Sequence, residues 1–260
     1  MITSSQNPKL KLARALQGRA RERYERGAFL AEGVRLVEEA ANGNWEFHFV
    51  LYDETLSERG KWLIESLRAR GVECEEVLPG LMQSLSDTNA SQGLLAVLRY
   101  SLLPIPTSLN FLLIPDQIRD PGNLGTLLRA AWAASVQAVF LPPETTDAFA
   151  PKVVRAGMGA HFHLPIQAMD WATITRICHA ENLQVFLADM NGRACWETDF
   201  RTPLALVVGG EAGGASRAAR SLATDRVGIP MPGGTESLNA GVAGAIVMFE
   251  VVRQRQQNAG

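Results

Sequence analysis

Short apolar runs alternate with amphipathic stretches along most of the chain, which is the pattern of an α/β protein. Before residue 100, the predicted strands are 28–31, 47–52, 74–77 and 94–99, and the predicted helices are 7–26, 32–41 and 59–70. After residue 109 the apolar runs are nearly continuous, as in a parallel sheet that helices cover on both faces. The strands predicted there are 111–114, 137–141, 183–188, 204–208 and 227–229, and the helices are 122–134, 171–180 and 238–256.

A proline-containing stretch separates the two series of elements. Residues 102–108 contain Pro104 and Pro106 beside polar turn residues, a composition typical of a linker. The pattern therefore predicts an α/β domain over 1–100, a linker over 101–108, and a second α/β domain with a mostly parallel sheet over 109–260.

The composition limits the cofactors and the location that we expect. The 260 residues are 47% hydrophobic and 20% charged, and the three cysteines show no CxxC spacing. They predict neither a disulfide framework nor a metal centre, and reduced thiols indicate the cytoplasm. No apolar run reaches the ~18–20 residues of a membrane span, so no membrane partner is expected.

A basic cluster near the start of the chain contrasts with the net charge of −2. Five of its cations are candidate RNA-binding residues. They are Lys9, Lys11, Arg14, Arg19 and Arg21. The alternative interpretation is a solvated helix face.

Three loops contain more glycine, proline and small polar residues than turns require, and each follows a predicted strand. In the first, Asn123 and Gly125 begin a helix whose free N–H groups can receive an anion, and Arg129 follows about one turn later. The alternative is that Asn123 is a capping residue and Arg129 a surface charge. In the second, Glu211 lies among four glycines, which let a ligand come close to the backbone.

The third loop, 227–239, contains prolines and glycines and leads into the last predicted helix. Thr235 or Ser237 is a candidate N-cap of that helix. Small residues such as Gly241 and Gly244 make its first turns thin. A thin helix predicts close packing against another backbone or against another helix.

Taken together and in this order, the three loops resemble the motifs of the SpoU/TrmH class of the SPOUT superfamily. Its members are RNA ribose 2′-O-methyltransferases that use S-adenosylmethionine. The class motifs are N-x-G-x-x-x-R, G-x-E-x-x-G and I-P-M-x-G-x-x-x-S-L-N. The matching residues here are Asn123, Gly125 and Arg129, then Gly209, Glu211 and Gly214, then the run from Ile229 to Asn239. The resemblance covers about residues 109–256.

The first hundred residues resemble the substrate-binding domain that precedes the catalytic domain in the rRNA-type members. That domain is similar to the L30e/L7Ae fold, and the sequences SSQNPKLKLARAL and FLAEGVRLVEEA carry the resemblance. The tRNA-type members have only short extensions, so the domain favours a structured RNA, and 23S rRNA in particular, as the substrate. The class fold also implies a trefoil knot near the C-terminus, an exception to the rule against knots.

The resemblance implies a bent S-adenosylmethionine held in the knot, mainly by backbone groups. The implied cofactor-binding residues are Gly209, Gly210, Ile229, Met231 and Leu238. The implied catalytic residues are Arg129, Asn123, Glu211, Ser237 and Asn239. Close approach of backbones in the knot would explain four glycines. They are Gly209, Gly210, Gly233 and Gly234. The chain departs from the usual class residues at Gly157, Gly210 and Gly241.

Arg129 matches the arginine that has been proposed as the catalytic base of the class. A guanidinium is a very weak acid and keeps its proton near neutral pH. Our hypothesis is that Arg129 binds an RNA phosphate and stabilises the alkoxide that develops on the ribose.

Members of the class act as homodimers through the catalytic domain, with the terminal helix in the interface. The apolar positions Val242, Ile246, Phe249 and Val252 are consistent with such an interface and equally with core packing. Three alternatives stay open: a tRNA methyltransferase, a methyltransferase that confers antibiotic resistance through 23S rRNA, and a non-catalytic RNA-binding or ribosome-assembly protein.

Overall fold

The computed structural model describes residues 1–86, 92–210 and 213–257. The chain divides into two compact units. Unit 1 is Met1–Ser101 with Phe149–Phe162, and unit 2 is Leu102–Ala148 with His163–Gly260. The division between Ser101 and Leu102 falls within the predicted linker.

The described residues form ten α-helices and ten β-strands. The helices are α1 (Pro8–Gln17), α2 (Ala20–Arg26), α3 (Val34–Asn42), α4 (Glu58–Ala69), α5 (Pro79–Gln83), α6 (Pro121–Ala133), α7 (Pro151–Gly157), α8 (Trp171–Ala180), α9 (Arg217–Leu222) and α10 (Ala240–Gln256). The strands are β1 (Ala28–Glu32), β2 (Phe47–Tyr52), β3 (Cys74–Glu76), β4 (Leu94–Arg99), β5 (Phe111–Asp116), β6 (Ala138–Leu141), β7 (Ile166–Ala168), β8 (Gln184–Ala194), β9 (Leu204–Gly209) and β10 (Asp225–Gly228).

The segment 149–162 departs from the predicted division, which placed it in the second domain. It belongs to unit 1 because its aromatic ends pack there. The ring centroids of Phe149 and Phe29 are 5.0 Å apart, and those of Phe162 and Trp45 are 5.4 Å apart. These partners are distant along the chain, so the local sequence pattern does not reveal the contact.

The single helix predicted over 7–26 is also corrected by the structure, which has two helices there. Helix α1 ends at Gly18, whose N–H donates to the Ala15 carbonyl at 3.2 Å. The buried Arg23 side chain then donates to the carbonyls of Leu16 and Gly18, at 2.7 and 2.9 Å. These bonds satisfy carbonyls that a continuing helix would have used.

Unit 1 contains a four-stranded sheet in the order β1-β4-β2-β3. Strand β4 is antiparallel to both of its neighbours, and β2 and β3 are parallel. Leu10 and Leu16 of α1 pack against Leu30, Phe49 and Leu51 of the sheet to form a core. Burial of these side chains supplies the main stabilisation of the unit.

Unit 2 contains six strands in the order β10-β8-β9-β5-β6-β7. All neighbouring strands are parallel, which confirms the predicted α/β class with a parallel sheet. Strands β5 and β9 are almost entirely buried, because helices lie on both faces. The trefoil knot that the resemblance implies stays a prediction.

The strand order brings the three loops to the same edge of the sheet. Strands β10, β8, β9 and β5 are consecutive neighbours, so their C-terminal ends lie side by side at one edge. The first loop follows β5, the second follows β9 and the third follows β10. Open parallel sheets bind ligands at this edge.

Candidate active site

The first loop enters helix α6 through a capping residue that the sequence interpretation did not assign. Asp120 is the N-cap, and its carboxylate accepts from the Asn123 N–H at 2.8 Å. The alternative that Asn123 is the cap is therefore wrong. The Asn123 side chain takes part in a different hydrogen bond, described below.

Arg129 lies on the open side of α6. The side that packs into unit 2 comprises Leu124, Gly125, Leu127, Leu128 and Ala131. Asn123, Thr126 and Arg129 recur every three residues on the opposite side, and Arg129 is exposed. Within the described ranges, the Arg129 guanidinium forms no hydrogen bond or ion pair with a protein group. It is available to an anionic ligand.

The third loop reaches the first through a pair of asparagines. Asn239 is the N-cap of α10, and its Oδ1 accepts from the Val242 N–H at 3.2 Å. Its Nδ2 donates to Asn123 Oδ1 at 2.6 Å. Thr235 and Ser237 are not caps, and both are exposed. The first and third motifs therefore meet in one hydrogen bond.

The thin start of α10 packs directly on α6, which confirms the predicted helix–helix contact. A Cβ on Gly241 would lie 2.9 Å from Thr126 Cγ2. A Cβ on Gly244 would overlap the Leu127 side chain. The glycine at 241, where the class usually has serine or alanine, lets α10 approach α6 closely at Thr126.

Replacing Asn239 with aspartate should separate its capping role from its contact with Asn123. Aspartate caps helices as well as asparagine does, so we expect the melting temperature to stay within about 2 °C. It has no N–H to donate to Asn123, and we expect kcat for methyl transfer to fall by about tenfold or more. Unfolding scans and single-turnover rates measure the two effects.

Asn239→Ala is the comparison variant, because it removes both roles. We expect it to lose activity and also about 1 kcal/mol of unfolding free energy. Wild-type kcat in Asn239→Asp would contradict a role for the asparagine pair.

The glycines of the second loop are explained by close approach of backbones. A Cβ on Gly209 would lie 2.6 Å from the Ala215 nitrogen, and one on Gly210 would overlap the Gln117 carbonyl oxygen. For Gly233 and Gly234 the same explanation is wrong, because a Cβ there would meet no atom of the described residues within 4 Å. Gly234 instead has a φ of +75°. Glu211, the predicted polar residue of this loop, lies outside the described residues.

Asp116, which the sequence analysis missed, anchors the far end of the second loop. It is fully buried at the end of β5, and its Oδ2 accepts from the Ser216 N–H at 2.5 Å. Burial raises the pKa of its carboxyl group, and the bonds from Ser216 only partly oppose this. A polar residue that ends an apolar strand was the signal that could have identified it.

A cleft of about 350 Å³ lies between the third loop and the end of β8. Its lining residues are Met190, Asn191, Gly192, Gly228, Ile229, Pro230, Met231, Thr235 and Glu236. Of the predicted cofactor residues, Ile229 and Met231 line it, and Gly209, Gly210 and Leu238 do not. The residues from β8 were missed because the strand was predicted to end at 188. It continues to Ala194, pairing with β10 beyond a register shift.

The cleft fits S-adenosylmethionine. Ile229, Pro230 and Met231 offer an apolar wall to an adenine ring, and Thr235 and Asn191 offer polar groups. Its volume lies within the roughly 300–1,000 Å³ of small-ligand sites. Gly192 and Gly228 let the β8 and β10 backbones come close, since a Cβ on Gly192 would lie 2.6 Å from the Val227 backbone.

Carboxylates and carbonyls engage part of the predicted basic surface of unit 1. Lys9 pairs with Glu73 at 2.5 Å and with Glu75. Partial burial lowers the pKa of Lys9, but the bonds to these glutamates outweigh it and raise the pKa overall. Arg21 pairs with Glu25 at 2.6 Å, and Arg14 donates to the Ser5 carbonyl. Lys11 and Arg19 form no ion pair with the described residues.

The described residues offer neither a metal site nor a membrane span. Among residues 1–86, 92–210 and 213–257, no group of three or more histidine, cysteine, aspartate or glutamate side chains could hold a metal ion. In the same ranges, every helix is too short or too polar to cross a membrane.

Two family models match the chain. The model of the SpoU rRNA Methylase family matches residues 110–249, and that of the MRM3-like substrate binding domain matches residues 7–96. The first match contains all three motif loops, and the second lies within unit 1.

Two curated relatives are similar along almost the whole chain. The 23S rRNA (uridine(2479)-2′-O)-methyltransferase of Streptomyces viridochromogenes is 32% identical over 97% of this chain and 92% of its own. The 23S rRNA (guanosine(2553)-2′-O)-methyltransferase RlmP of Bacillus subtilis strain 168 is 33% identical, and the match covers 96% of this chain and 98% of that protein.

The crystal structure of the SpoU methyltransferase AviRb from S. viridochromogenes in complex with AdoMet superposes with a TM-score of 0.88. That chain is 29% identical, and the match covers 96% of this chain and 99% of that one. These findings confirm the resemblance read from the motifs. The chain belongs to the SpoU rRNA methylase family and is an S-adenosylmethionine-dependent RNA ribose 2′-O-methyltransferase.

Proposed function

We propose that this enzyme methylates the 2′-hydroxyl of one ribose in 23S rRNA, with Arg129, Asn123 and Asn239 at the reacting centre. The observation that carries the proposal is the hydrogen bond between Asn123 and Asn239. It joins the helix of Arg129 to the loop that lines the cleft. The named activities of the S. viridochromogenes and B. subtilis relatives support 23S rRNA over tRNA.

Arg129 has two tasks in this reaction. Bound S-adenosylmethionine supplies an electrophilic methyl group on a sulfonium. Arg129 holds an RNA phosphate and stabilises negative charge as the ribose oxygen loses its proton. It does not accept that proton, because a guanidinium stays protonated. The proton leaves to the bound phosphate or to water.

The asparagine pair orients the groups around the ribose. Asn239 fixes the orientation of the Asn123 amide, because its Nδ2 donates to the Asn123 oxygen. Ser237 completes the polar rim in this proposal, and the second motif assigns a catalytic role to Glu211. Correct placement of two reactants can contribute roughly 7–11 kcal/mol to lowering a barrier. Positioning is therefore the main contribution that we assign to these side chains.

Methyl transfer to separated RNA pools tests the substrate. The purified enzyme is incubated with methyl-labelled S-adenosylmethionine and with unmodified 23S rRNA, 16S rRNA or bulk tRNA. We expect label in 23S rRNA alone. Label in tRNA would replace the proposal with the tRNA alternative. S-adenosylmethionine binding without label in any pool would point to a ribosome-assembly intermediate as the substrate. No cofactor binding at all would favour the non-catalytic alternative.

We also propose that the enzyme is a homodimer through helix α10. The buried side of α10 consists of Val247, Met248 and Val251 together with its small residues. Val242, Ile246 and Phe249 are 46%, 38% and 49% exposed. Core packing therefore does not account for this exposed apolar face. A second copy of the chain would cover this face, because an exposed apolar stripe on a helix favours association with another copy.

Replacing Phe249 with glutamate should convert the dimer to a monomer. A charge on the apolar face would be buried in the dimer without a partner, which is costly. Sedimentation velocity at micromolar protein measures the change. Trp62→Glu, at an exposed apolar residue of unit 1, is the control and should stay dimeric. An unchanged Phe249→Glu dimer would rule out this interface.

The cytoplasm is the location that we propose. Cys74, Cys178 and Cys195 are free thiols, which suits a reducing compartment.

A further inference from the structure

Unit 1 contains a second cleft, of about 320 Å³, and Val34 and Arg35 of the FLAEGVRLVEEA segment line part of it. Its lining residues are Val34, Arg35, Thr55, Ser57, Arg59 and Gln92. It lies where α3 and α4 begin. A Cβ on Gly60 of α4 would lie 3.1 Å from Val34 of α3, so the two helix starts are in close contact.

The charges around this cleft favour an anion. Arg35 is exposed and forms no ion pair or hydrogen bond with the described residues. Arg59 pairs with Glu38 of α3, and its side chain is still 57% exposed. Glu58, the acidic residue in the first turn of α4, is engaged by Lys61 at 2.6 Å. The Arg35 guanidinium therefore has no carboxylate partner among the described residues, and the Arg59 guanidinium is accessible to a ligand.

An exposed tryptophan lies one helical turn beyond Arg59. Trp62 is 71% exposed, although the other side of α4 buries Leu63, Ile64 and Leu67. No ring contact or hydrogen bond joins its indole to another described residue. At a spacing of three residues, Arg59 and Trp62 lie on the same side of the helix. An exposed indole beside guanidinium groups is the combination that binds unpaired bases of RNA.

We propose that the Arg35–Arg59 cleft and Trp62 form the surface of unit 1 that holds the RNA substrate. A backbone phosphate lies between the two arginines, and an adjacent unpaired base stacks on Trp62. This inference rests on the proposed function, since it assumes an RNA substrate. It moves the main RNA contact of the unit away from the N-terminal helices, where Lys9 and Arg21 are already paired with glutamates.

Equilibrium binding of an unmodified 23S rRNA transcript, at several salt concentrations, tests this surface. We expect Arg35→Ala/Arg59→Ala to weaken binding about tenfold and to lower the salt slope by about one to two. Trp62→Leu should weaken binding about fivefold or more, and Trp62→Phe should restore part of the loss. Arg26→Ala/Arg99→Ala is the matched control, because both arginines are exposed and paired with a glutamate. It should bind as the wild type does.

Further measurements distinguish failure of the proposed binding surface from failure of the proposed function. The Kd for S-adenosylmethionine and the melting temperature should be unchanged in all variants, which shows that they fold. With RNA in excess, kcat should stay near the wild-type value and KM should rise. Wild-type enzyme that methylates no RNA would refute the proposed function.

Three results would instead refute only the binding surface. The first is wild-type RNA affinity in both the arginine pair variant and Trp62→Leu. The second is a larger loss in Lys11→Ala/Arg19→Ala than in the cleft variants. The third is normal binding of naked RNA with loss only on ribosomal particles, which would indicate a protein partner.

Discussion

Arg129→Ala is expected to lower kcat for RNA methyl transfer by about 100- to 1,000-fold, a loss typical of removing one charge-stabilising donor. The Kd for S-adenosylmethionine should stay within about twofold, because Arg129 is on the open side of α6 and does not line the cleft. Stability should be unaffected, since the side chain is exposed. Single-turnover assays and calorimetric cofactor titration measure the two quantities.

The lysine variant distinguishes the charge of the Arg129 side chain from the planar shape of its guanidinium. Arg129→Lys keeps a cation and loses the planar fork that binds phosphate through two N–H groups. We expect it to recover little of the activity, and near-wild-type kcat would show that the fork is not needed. Arg176→Ala, at an exposed arginine in the middle of α8, is the control and should be fully active.

Gly192→Ala is expected to weaken S-adenosylmethionine binding by at least tenfold and to destabilise the protein. The new Cβ would lie 2.6 Å from the Val227 backbone, closer than real Cβ contacts allow. Strands β8 and β10 must then separate, and these strands lead into the two walls of the cleft. Overpacking of this kind costs about 1–3 kcal/mol of unfolding free energy.

Gly233→Ala provides the matched control for that substitution. Gly233 is in the third loop, but a Cβ there would meet nothing within 4 Å in the part of the chain that the structure describes. We expect normal cofactor affinity and a melting temperature that does not fall. Equal losses in Gly192→Ala and Gly233→Ala would contradict the role assigned to the close β8–β10 approach.

Local sequence pattern predicted the longer elements well and the short ones poorly. Strand β2, strand β4 and helix α8 have the predicted bounds, because a bounded apolar run or an amphipathic period defines each of them. Helices α5, α7 and α9 and strand β7 were not predicted. They have three to seven residues each, too few for a period to show. Tertiary contacts, such as those of Phe149 and Phe162, stabilise such elements.

The motifs located the candidate site, but they could not supply its contacts. Asn123 and Asn239 are 116 positions apart, and only the fold shows that they share a hydrogen bond. Asp120 and Asn123 are both good capping residues, so composition could not decide between them. The part of the cleft formed by β8 was missed because residues 189–194, with Asp189, Asn191 and Arg193, do not continue the apolar run. Pairing with β10 keeps that stretch extended.

Helix α10 shows why an apolar stripe does not identify its partner. Both of its sides are apolar, so periodicity could not tell the core side from the open side. Gly241 and Gly244 determine which side of α10 packs into the core, because only the side with these glycines can approach α6 closely. Val242, Ile246 and Phe249 are consequently left exposed.

The RNA atom that receives the methyl group shows whether the enzyme modifies the ribose or the base. A labelled 23S rRNA product is hydrolysed in alkali, which requires a free 2′-hydroxyl beside each phosphodiester bond. Label in one alkali-resistant dinucleotide, present with the wild type and absent with Arg129→Ala, is the predicted result. Label released as a base-methylated mononucleotide would contradict the assignment of the 2′-oxygen as the acceptor.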